Sequence, residues 1–336
     1  MRRLVALFVS VLGCVACTRG GNPAAPASGA TAASARPWTS PLDRDHVLVG
    51  KIWDVAGQRF VEEGALDERV ARAPLVVVGE QHDNADAHAV EAALLAVLVR
   101  AGRSPSLVAE MLDETEQPAI DKALAEHAGD VDGFARAVDW EHSGWPAWSL
   151  YRPVFAIAVA ARLPIVAAGV ERKRTMTLAH EGISALPEAL VRQFELDQAL
   201  PPRMQSELRE EMRDTHCDML PESMLDSMVL VQRLRDATLS AHLALGARAG
   251  GALLIAGNGH ARSDRGVPAL IAAHLGQRVL AVAVLEVRRE WSTPAPYAAL
   301  FGAKVLPFDY VWFIPRASDD DHCAELRAAH GMKPAR

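Results

Sequence analysis

Four acidic and imidazole side chains stand at or just after the ends of apolar segments and could do chemistry together. They are Glu80, His82, Glu110 and His260. Carboxylates paired with imidazoles can move protons in general acid–base catalysis, and the same groups can hold a divalent metal that keeps a position open for water. Each has a simpler interpretation as well. An acidic residue can merely stabilise a helix N-terminus, and a single histidine is more often a structural hydrogen-bonding residue.

Five short, nearly continuous apolar runs predict the strands that must position these side chains. Such runs are typical of strands buried on both faces of a parallel sheet. They are LVVVG (75–79), SLVAEM (106–111), PIVAAG (164–169), ALLIAGNG (252–259) and VLAVAVLEV (279–287). Stretches with helical periodicity lie between them, over 87–100, 148–162 and 222–248. The alternation predicts an α/β fold, a mostly parallel central sheet flanked by helices, with a helical insertion subdomain over 175–248 where no strand-like run occurs.

The topology predicts that the polar residues after these strands converge. Ligands of an open α/β sheet bind outside the carboxyl ends of its strands. Asn258 stands at the same edge as His260, although it is also a common turn residue. Glycines precede Glu80 and His260 and permit close backbone approach. His88, on the following helix, is a candidate to support the site from behind.

A second cluster of unusual composition lies in VDWEHSGWPAWSLYRPVF (138–155). Trp140, Trp145 and Trp148 are three of only seven tryptophans in the chain, and Tyr151 and Arg152 follow at once. Large flat side chains in a loop suggest a wall for a flat apolar ligand. A loop that tryptophans anchor to the protein body explains the composition equally well.

The N-terminus predicts export. A basic start, a short apolar run and small residues, MRRLVALFVSVLGCVAC, are typical of a bacterial lipoprotein signal peptide over 1–16. Cys17 is the predicted lipidated residue and Cys14 the alternative, while a secretory signal cut after Ala16 also fits the pattern. The protein is therefore expected to face the periplasm, held to the bacterial envelope by a lipid anchor, at the outer membrane in preference to the inner.

The rest of the chain divides by composition. Residues 17–45 are rich in Ala, Ser, Gly and Pro and predict the lipidated cysteine and a flexible tether. The folded domain is expected over 46–316, and the polar segment 317–336 is expected to be a tail. Cys217 and Cys323 are the two cysteines left in the body, and the oxidising periplasm permits a disulfide between them.

Composition and missing motifs exclude several function classes. The chain has 336 residues and a net charge of −7, without a long basic run, which argues against nucleic acid as a partner. Its sequence has no GxGxxG or P-loop motif for a nucleotide and no GxSxG motif for a serine nucleophile.

The motifs, taken together, resemble a known family, the ChaN-like haem-binding lipoproteins of the wider Tiki and erythromycin-esterase superfamily. The segments that carry the resemblance run in order from about 46 to 316. They are VVVGEQHDNADAH, LVAEM, DWEHSGWPAWSLYRPVFAIAVAARLPIVAAGVERK, HCDMLPESMLDSMVLVQRLRDATLSAHL, AGNGHARSDRGVPALIA and FDYVWFIP. GExHD combined with AGNGHxRxDRGVP is a specific pattern, whereas GExH alone is weak.

This resemblance implies a haem-binding envelope lipoprotein that takes part in haem and iron uptake and catalyses nothing. It implies ferric haem in a cleft or at a subunit interface, with a homodimer and an outer-membrane haem receptor as expected partners. The axial ligand that the resemblance implies is a tyrosine or a histidine. Tyr151 is the candidate, because phenolate suits ferric iron, although related sequences often have another tyrosine where this chain has Trp148. The other residues implied in haem binding are His82, Trp145, Trp148, Asn258 and His260, with Arg152, Arg172, Arg262 and Arg265 for the propionates.

The same superfamily supports an alternative function, a hydrolase of the peptidase or esterase type. Relatives use the Glu and His set to activate water, with or without a divalent metal. In this interpretation Glu80, His82, Glu110 and His260 are catalytic, either as ligands of the metal or with His82 as the general base and Glu110 polarising water.

Overall fold

An eight-stranded sheet runs through the part of the chain that the computed structural model describes, residues 37–126, 129–246 and 250–329. Its order is β2-β1-β8-β7-β3-β6-β4-β5. Strands β3 to β8 pair in parallel, and β1 joins antiparallel to β2 and β8 at one edge. The strands are β1 Ile52–Asp54, β2 Arg59–Val61, β3 Leu75–Glu80, β4 Ser106–Asp113, β5 Ile165–Gly169, β6 Ala252–Gly257, β7 Leu280–Glu286 and β8 Tyr310–Ile314.

Helices connect and cover the strands. They are α1 Glu63–Arg72, α2 Ala85–Arg100, α3 Gln117–Glu126, α4 Val131–Ala137, α5 Trp148–Ala160, α6 Arg172–Glu181, α7 Glu188–Phe194, α8 Pro202–Thr215, α9 Leu225–Gly246, α10 Val267–Leu275 and α11 His322–Ala329. The predicted α/β class and mostly parallel sheet are confirmed. Helices α6 to α9 follow one another without a described strand between β5 and β6.

The sheet is buried on both faces, which explains why its strands are apolar throughout. Side chains alternate across a strand. Val76 and Val78 of β3 therefore pack in the core beneath α2 and α5, whereas Leu75 and Val77 pack in the core beneath α9 and α10. All four side chains are fully buried. The crossover helices thus occupy both faces and leave the strand carboxyl ends as the open edge.

The segment before β1 lies against the body, so the tether that we predicted to reach residue 45 ends earlier. The backbone N–H groups of Thr39 and Ser40 both donate to the carboxylate of Asp86, each at 2.8 Å. Leu42 pairs with Arg316 as an isolated β-bridge. These bonds satisfy backbone groups that a free tether would leave to water. Cys14 and Cys17 lie outside the described residues.

The segment after β8 continues into α11 and is tied to the helical insertion by a disulfide. Cys217 and Cys323 are bonded, with 5.3 Å between their Cα atoms, within the ordinary range for disulfides. The predicted tail therefore contains a helix, α11, which this bond holds to the insertion. In the described part of the chain, no helix has the length and apolarity that a membrane span requires.

Candidate functional site

Two carboxylate–imidazole pairs lie at the carboxyl edge of the sheet. Strand β3 ends at Glu80 and the neighbouring β6 ends at Gly257, and these two residues are paired in register. His82 follows β3 and His260 follows β6, so each histidine leaves the sheet beside the other. Glu110 is in β4, the next strand across.

The first pair is Glu80 and His82. Nδ1 of His82 donates to Oε1 of Glu80 at 2.8 Å, because a carboxylate can only accept. Glu80 is buried, whereas 36% of the His82 side chain is exposed. Burial acts to lower the pKa of His82, but its hydrogen bond with Glu80 and the charges of Glu80 and Glu110 outweigh burial and raise that pKa. The arrangement fixes the imidazole through Nδ1 and leaves Nε2 for a ligand or proton.

The second pair is His260 and Glu110, joined by a third residue, Asp236. Nδ1 of His260 donates to Asp236 at 2.7 Å, and Nε2 lies 3.3 Å from Glu110. The other oxygen of Glu110 accepts from the backbone N–H of Gly257 at 2.8 Å. Burial opposes the charged form of His260, yet the charges of Glu110 and Asp236 raise its pKa to about 10. Although burial alone would raise the pKa of Glu110, the charge of His260 holds it well below its usual value.

Asp236 is the functional residue that the sequence analysis missed. It is in the middle of α9, 24 positions before His260, and is buried. The sequence does contain an indication of its role. Asp236 is an acidic residue between Leu234 and Leu239, both buried, and so interrupts the apolar face of the helix. Burying a charge there is costly without a partner, and such a position marks a specific contact.

Gly257 lies at the meeting point of the two pairs. A Cβ atom at this position would lie 3.1 Å from Nε2 of His82 and 3.9 Å from Oε2 of Glu110. Absence of a side chain therefore leaves space above the strand end for both groups. Gly79 has a different function. A Cβ there would lie 2.6 Å from Oδ1 of Asn258, so Gly79 permits the close contact of β3 with the turn after β6.

The structure does not assemble the predicted metal site of Glu80, His82, Glu110 and His260. Oε1 of Glu80 is occupied by His82 and by the hydroxyl of Tyr151, which donates at 3.1 Å. Within the described residues, the three donors that come within 4.8 Å of one another are a different set, Glu80, His88 and Glu91. The four predicted ligands are instead divided into two ion pairs.

Tyr151, the predicted iron ligand, lies in the core. Its exposed fraction is 0%, and its ring contacts His88 and Trp140 at centroid distances of 4.0 and 5.0 Å. Burial and the charge of Glu80 raise the pKa of its phenol far above the usual value, so a phenolate is disfavoured. The hydroxyl instead helps to hold Glu80.

The tryptophan segment contains both anchors and a cavity wall. Trp140 is buried and packs on Trp148 at 5.1 Å between ring centroids, as the anchoring interpretation requires. Trp145 is half-buried and lies edge-on to His82 at 4.9 Å. A cavity of about 480 Å³ opens beside these rings. Its lining residues are Asp132, Ala135, Arg136, Asp139, Trp140, Glu141, Trp145, Pro146, Ala147 and Trp148.

Most of the arginines proposed for propionates already have carboxylate partners. Arg262 is 3% exposed and makes two hydrogen bonds to Asp264, at 2.9 and 2.8 Å, so it is not available to a ligand. Arg265 pairs with Glu211, and Arg152 binds Asp132 at the cavity wall at 2.8 and 2.9 Å. Arg172 is exposed on α6. Arg136, which the sequence analysis did not single out, is the arginine that lines the cavity; it pairs with Asp130 at 3.3 Å, but 71% of its side chain is exposed.

Asn258 has a structural function at the same edge. Its Nδ2 donates to the carbonyl of Val284 at 3.0 Å, which joins the turn after β6 to β7. This contact holds the end of β6, and with it His260, against the sheet. The structure gives Asn258 no direct contact with the cavity.

Comparisons with known proteins agree with this fold. The model of a family described as haem-binding uptake, Tiki superfamily, ChaN matches residues 66–271, which include all four residues of the two ion pairs. A solved structure of ChaN from Campylobacter jejuni with cofacially bound haem is similar, with a TM-score of 0.60 and 19% identity, over 78% of this chain and 95% of that one.

More distant structures also match. An erythromycin esterase, EreC in its open conformation, has a TM-score of 0.44 and 13% identity over 86% of this chain and all of that one. The type III effector HopBA1 has a TM-score of 0.40 and 12% identity over 82% and 97% of the two chains. No curated protein matches at a significant level. Because the family match spans more than half of its residues, this chain belongs to the ChaN family of haem-binding uptake proteins in the Tiki superfamily.

Proposed function

We propose that this protein binds ferric haem in the tryptophan-lined cavity and carries it at the bacterial envelope for iron uptake. The observation that carries the proposal is the position of Trp145, which both lines the cavity and contacts His82. A volume of about 480 Å³ lies within the ordinary range of about 300–1,000 Å³ for ligand sites. Flat aromatic rings suit a macrocycle, and Arg136 can pair with a propionate.

His82 is the residue whose chemistry best suits the iron of such a ligand. Iron-ligating histidines commonly donate their second ring N–H to a carboxylate, which orients the ring and strengthens the free nitrogen as a ligand. His82 makes this bond with Glu80, and its side chain is partly exposed. Haem would supply the iron chemistry. This chain would orient the imidazole, exclude water with Trp145 and keep the carboxylates at the sheet edge paired with histidines.

The envelope location rests on the N-terminal signal. A lipid on Cys17, or on Cys14, would hold the body near the outer membrane on the periplasmic side, where a receptor in that membrane or a second copy of the chain could exchange haem with it. The Cys217–Cys323 disulfide agrees with an oxidising compartment. Mass spectrometry of the mature N-terminus tests the anchor, because a mature chain that carries no lipid on either Cys17 or Cys14 would contradict it.

Titration of the full chain with hemin tests haem binding. We expect hemin to give a saturable shift of the Soret band in the wild type. In His82→Ala the affinity for hemin should fall about tenfold or more and the band should be displaced, because the ring nitrogen is lost. Tyr151→Phe should leave the band where it is, since the phenol is buried. His142→Gln, an exposed histidine in the same segment, is the matched control. A band that survives His82→Ala and disappears in Tyr151→Phe would overturn the assignment.

A second candidate function, hydrolysis, is favoured by the way Glu80 holds His82. The free Nε2 can take a proton from water, and a cavity of about 70 Å³ beside Glu110 and Trp145 has room for a water or two. The hydroxide would attack a carbonyl carbon, and the same proton would then pass to the leaving group. Because the pKa of His82 is raised, activity should increase with pH as its neutral form is populated.

Turnover on panels of esters and peptides tests this candidate. His82→Ala is expected to reduce any turnover about 10²-fold or more, the usual effect of losing a general base. Glu110→Gln separates the two functions, because it should impair hydrolysis while hemin binding is retained. The absence of turnover in the wild-type protein across the panel would exclude hydrolysis of these substrates.

A further inference from the structure

Behind the exposed His82 lies a closed polar cluster formed by Glu80, His88 and Glu91. Glu80 ends β3, and the other two are three residues apart on α2, on the face toward the strand end. Their exposed fractions are 3%, 0% and 0%. Nδ1 of His88 lies 2.8 Å from Oε2 of Glu80 and 3.0 Å from Oε2 of Glu91. Donor atoms from the three residues all lie within 4.8 Å of one another.

The contacts of His88 show which ring nitrogen faces the carboxylates and which is held by the backbone. Nε2 lies 3.1 Å from the backbone carbonyl of His82, and a carbonyl can only accept, so Nε2 carries the hydrogen. Nδ1 lies within hydrogen-bond distance of both carboxylates, so without a metal it carries a hydrogen as well: burial opposes the charged ring, but Glu80 and Glu91 raise the pKa of His88 to about 11. The Nδ1 hydrogen is the one that a metal ion would replace. A metal-binding histidine typically has this pattern, one nitrogen bound to the metal and the other donating to a backbone carbonyl.

Each carboxylate in this cluster has one oxygen that accepts a hydrogen bond and one that does not. Oε2 of Glu80 and Oε1 of Glu91 are buried and have no hydrogen-bond partner. Unsatisfied buried carboxylate oxygens are costly, and native structures contain few of them. A charged His88 balances one of the two buried carboxylates, whereas a dication in place of its Nδ1 hydrogen would balance both and give the unpartnered oxygens a partner.

We propose that Glu80, His88 and Glu91 bind a divalent transition metal ion such as Zn²⁺. One imidazole and two carboxylates are donors that zinc and similar ions accept at about 2.0–2.2 Å. Two donors bound to one ion at these distances are at most about 4.4 Å apart, so a small contraction of the cluster suffices. Two carboxylates and a dication are also neutral together, which removes the cost of isolated buried charge.

The ion would act on the exposed site through Glu80. One oxygen of this carboxylate would bind the metal while the other holds Nδ1 of His82. The metal would therefore fix the orientation of His82 but would not contact a molecule bound to His82. Glu80 and His88 are positioning residues in this arrangement.

Metal content of the full chain tests the proposal. Protein produced in Zn²⁺-supplemented medium and then desalted should contain about one zinc per chain by elemental mass spectrometry. His88→Gln and Glu91→Gln should each lower this to less than about a tenth, whereas His142→Gln should not change it. His260→Gln should also keep the zinc, because His260 belongs to the other ion pair. Zinc that is lost in His260→Gln but kept in Glu91→Gln, or a metal-free wild type, would overturn the proposal.

X-ray absorption of the zinc-loaded wild type covers the case in which the variants do not fold. The proposal requires one imidazole in the zinc shell, with the remaining ligands oxygen. Two imidazoles, as a site built on His82 and His260 would give, would exclude it.

Discussion

Asp236→Ala is expected to lower the free energy of unfolding by about 3–5 kcal/mol, the usual cost of removing one partner from a buried ion pair. Asp236 accepts from Nδ1 of His260 at 2.7 Å, and both residues are buried. Without the carboxylate, the imidazolium keeps Glu110 and the side-chain amide of Gln232, each at 3.3 Å, and loses its shorter, charged acceptor. The variant also leaves unfilled space in α9, which adds to the loss.

Asp226→Ala is the matched control for this prediction. Asp226 is on the same helix and pairs with Arg209, but two-thirds of its side chain is exposed. Exposed pairs contribute about 0–1 kcal/mol, so the control should unfold close to the wild type. Denaturant unfolding of the three proteins measures the difference. Equal, small losses for the two variants would show that Asp236 does not hold a charged His260.

Stability is expected to fall between pH 6.5 and 10 because of His260. Its folded pKa is raised to about 10 from an ordinary value of 6.5. The stabilisation is therefore fully present below about pH 6.5 and is lost as the pH rises through the pKa of His260 in the folded chain. Between these two pKa values only the folded chain keeps the proton. One such proton changes the free energy of unfolding by about 1.4 kcal/mol per pH unit.

Four charged or titratable groups surround the ring of His260. Asp236 of α9 and Glu110 of β4 favour the charged ring, whereas burial opposes it. Arg265 acts on Asp236, and His82 lies across Gly257. Unfolding in urea at several pH values should show a slope that His260→Gln reduces by about 1.4 kcal/mol per pH unit. The exposed His180→Gln on α6 should keep the wild-type slope, and an unchanged slope in His260→Gln would contradict the assignment.

Much of the fold could be predicted from the sequence because its determinants are local. Continuous apolar runs such as LVVVG and ALLIAGNG identify strands covered on both faces, and helical periodicity between them implies parallel crossovers. The short edge strands β1 and β2 escaped this reasoning, because three residues each carry too little pattern. Parallel topology also places the ends of β3, β4 and β6 at one edge, so Glu80, Glu110 and His260 could be expected near one another.

The pairing of those side chains was decided by tertiary structure alone. Whether Tyr151 faces a cavity or the core depends on how α5 is rotated against α2, and its neighbours in sequence do not record that angle. Asp236 contacts His260 only because α9 packs against the sheet in the one position that brings Asp236 to the residues after β6. Burial and charge pairing are properties of contacts between distant segments, and these contacts, rather than residue type, determine which carboxylate holds which histidine.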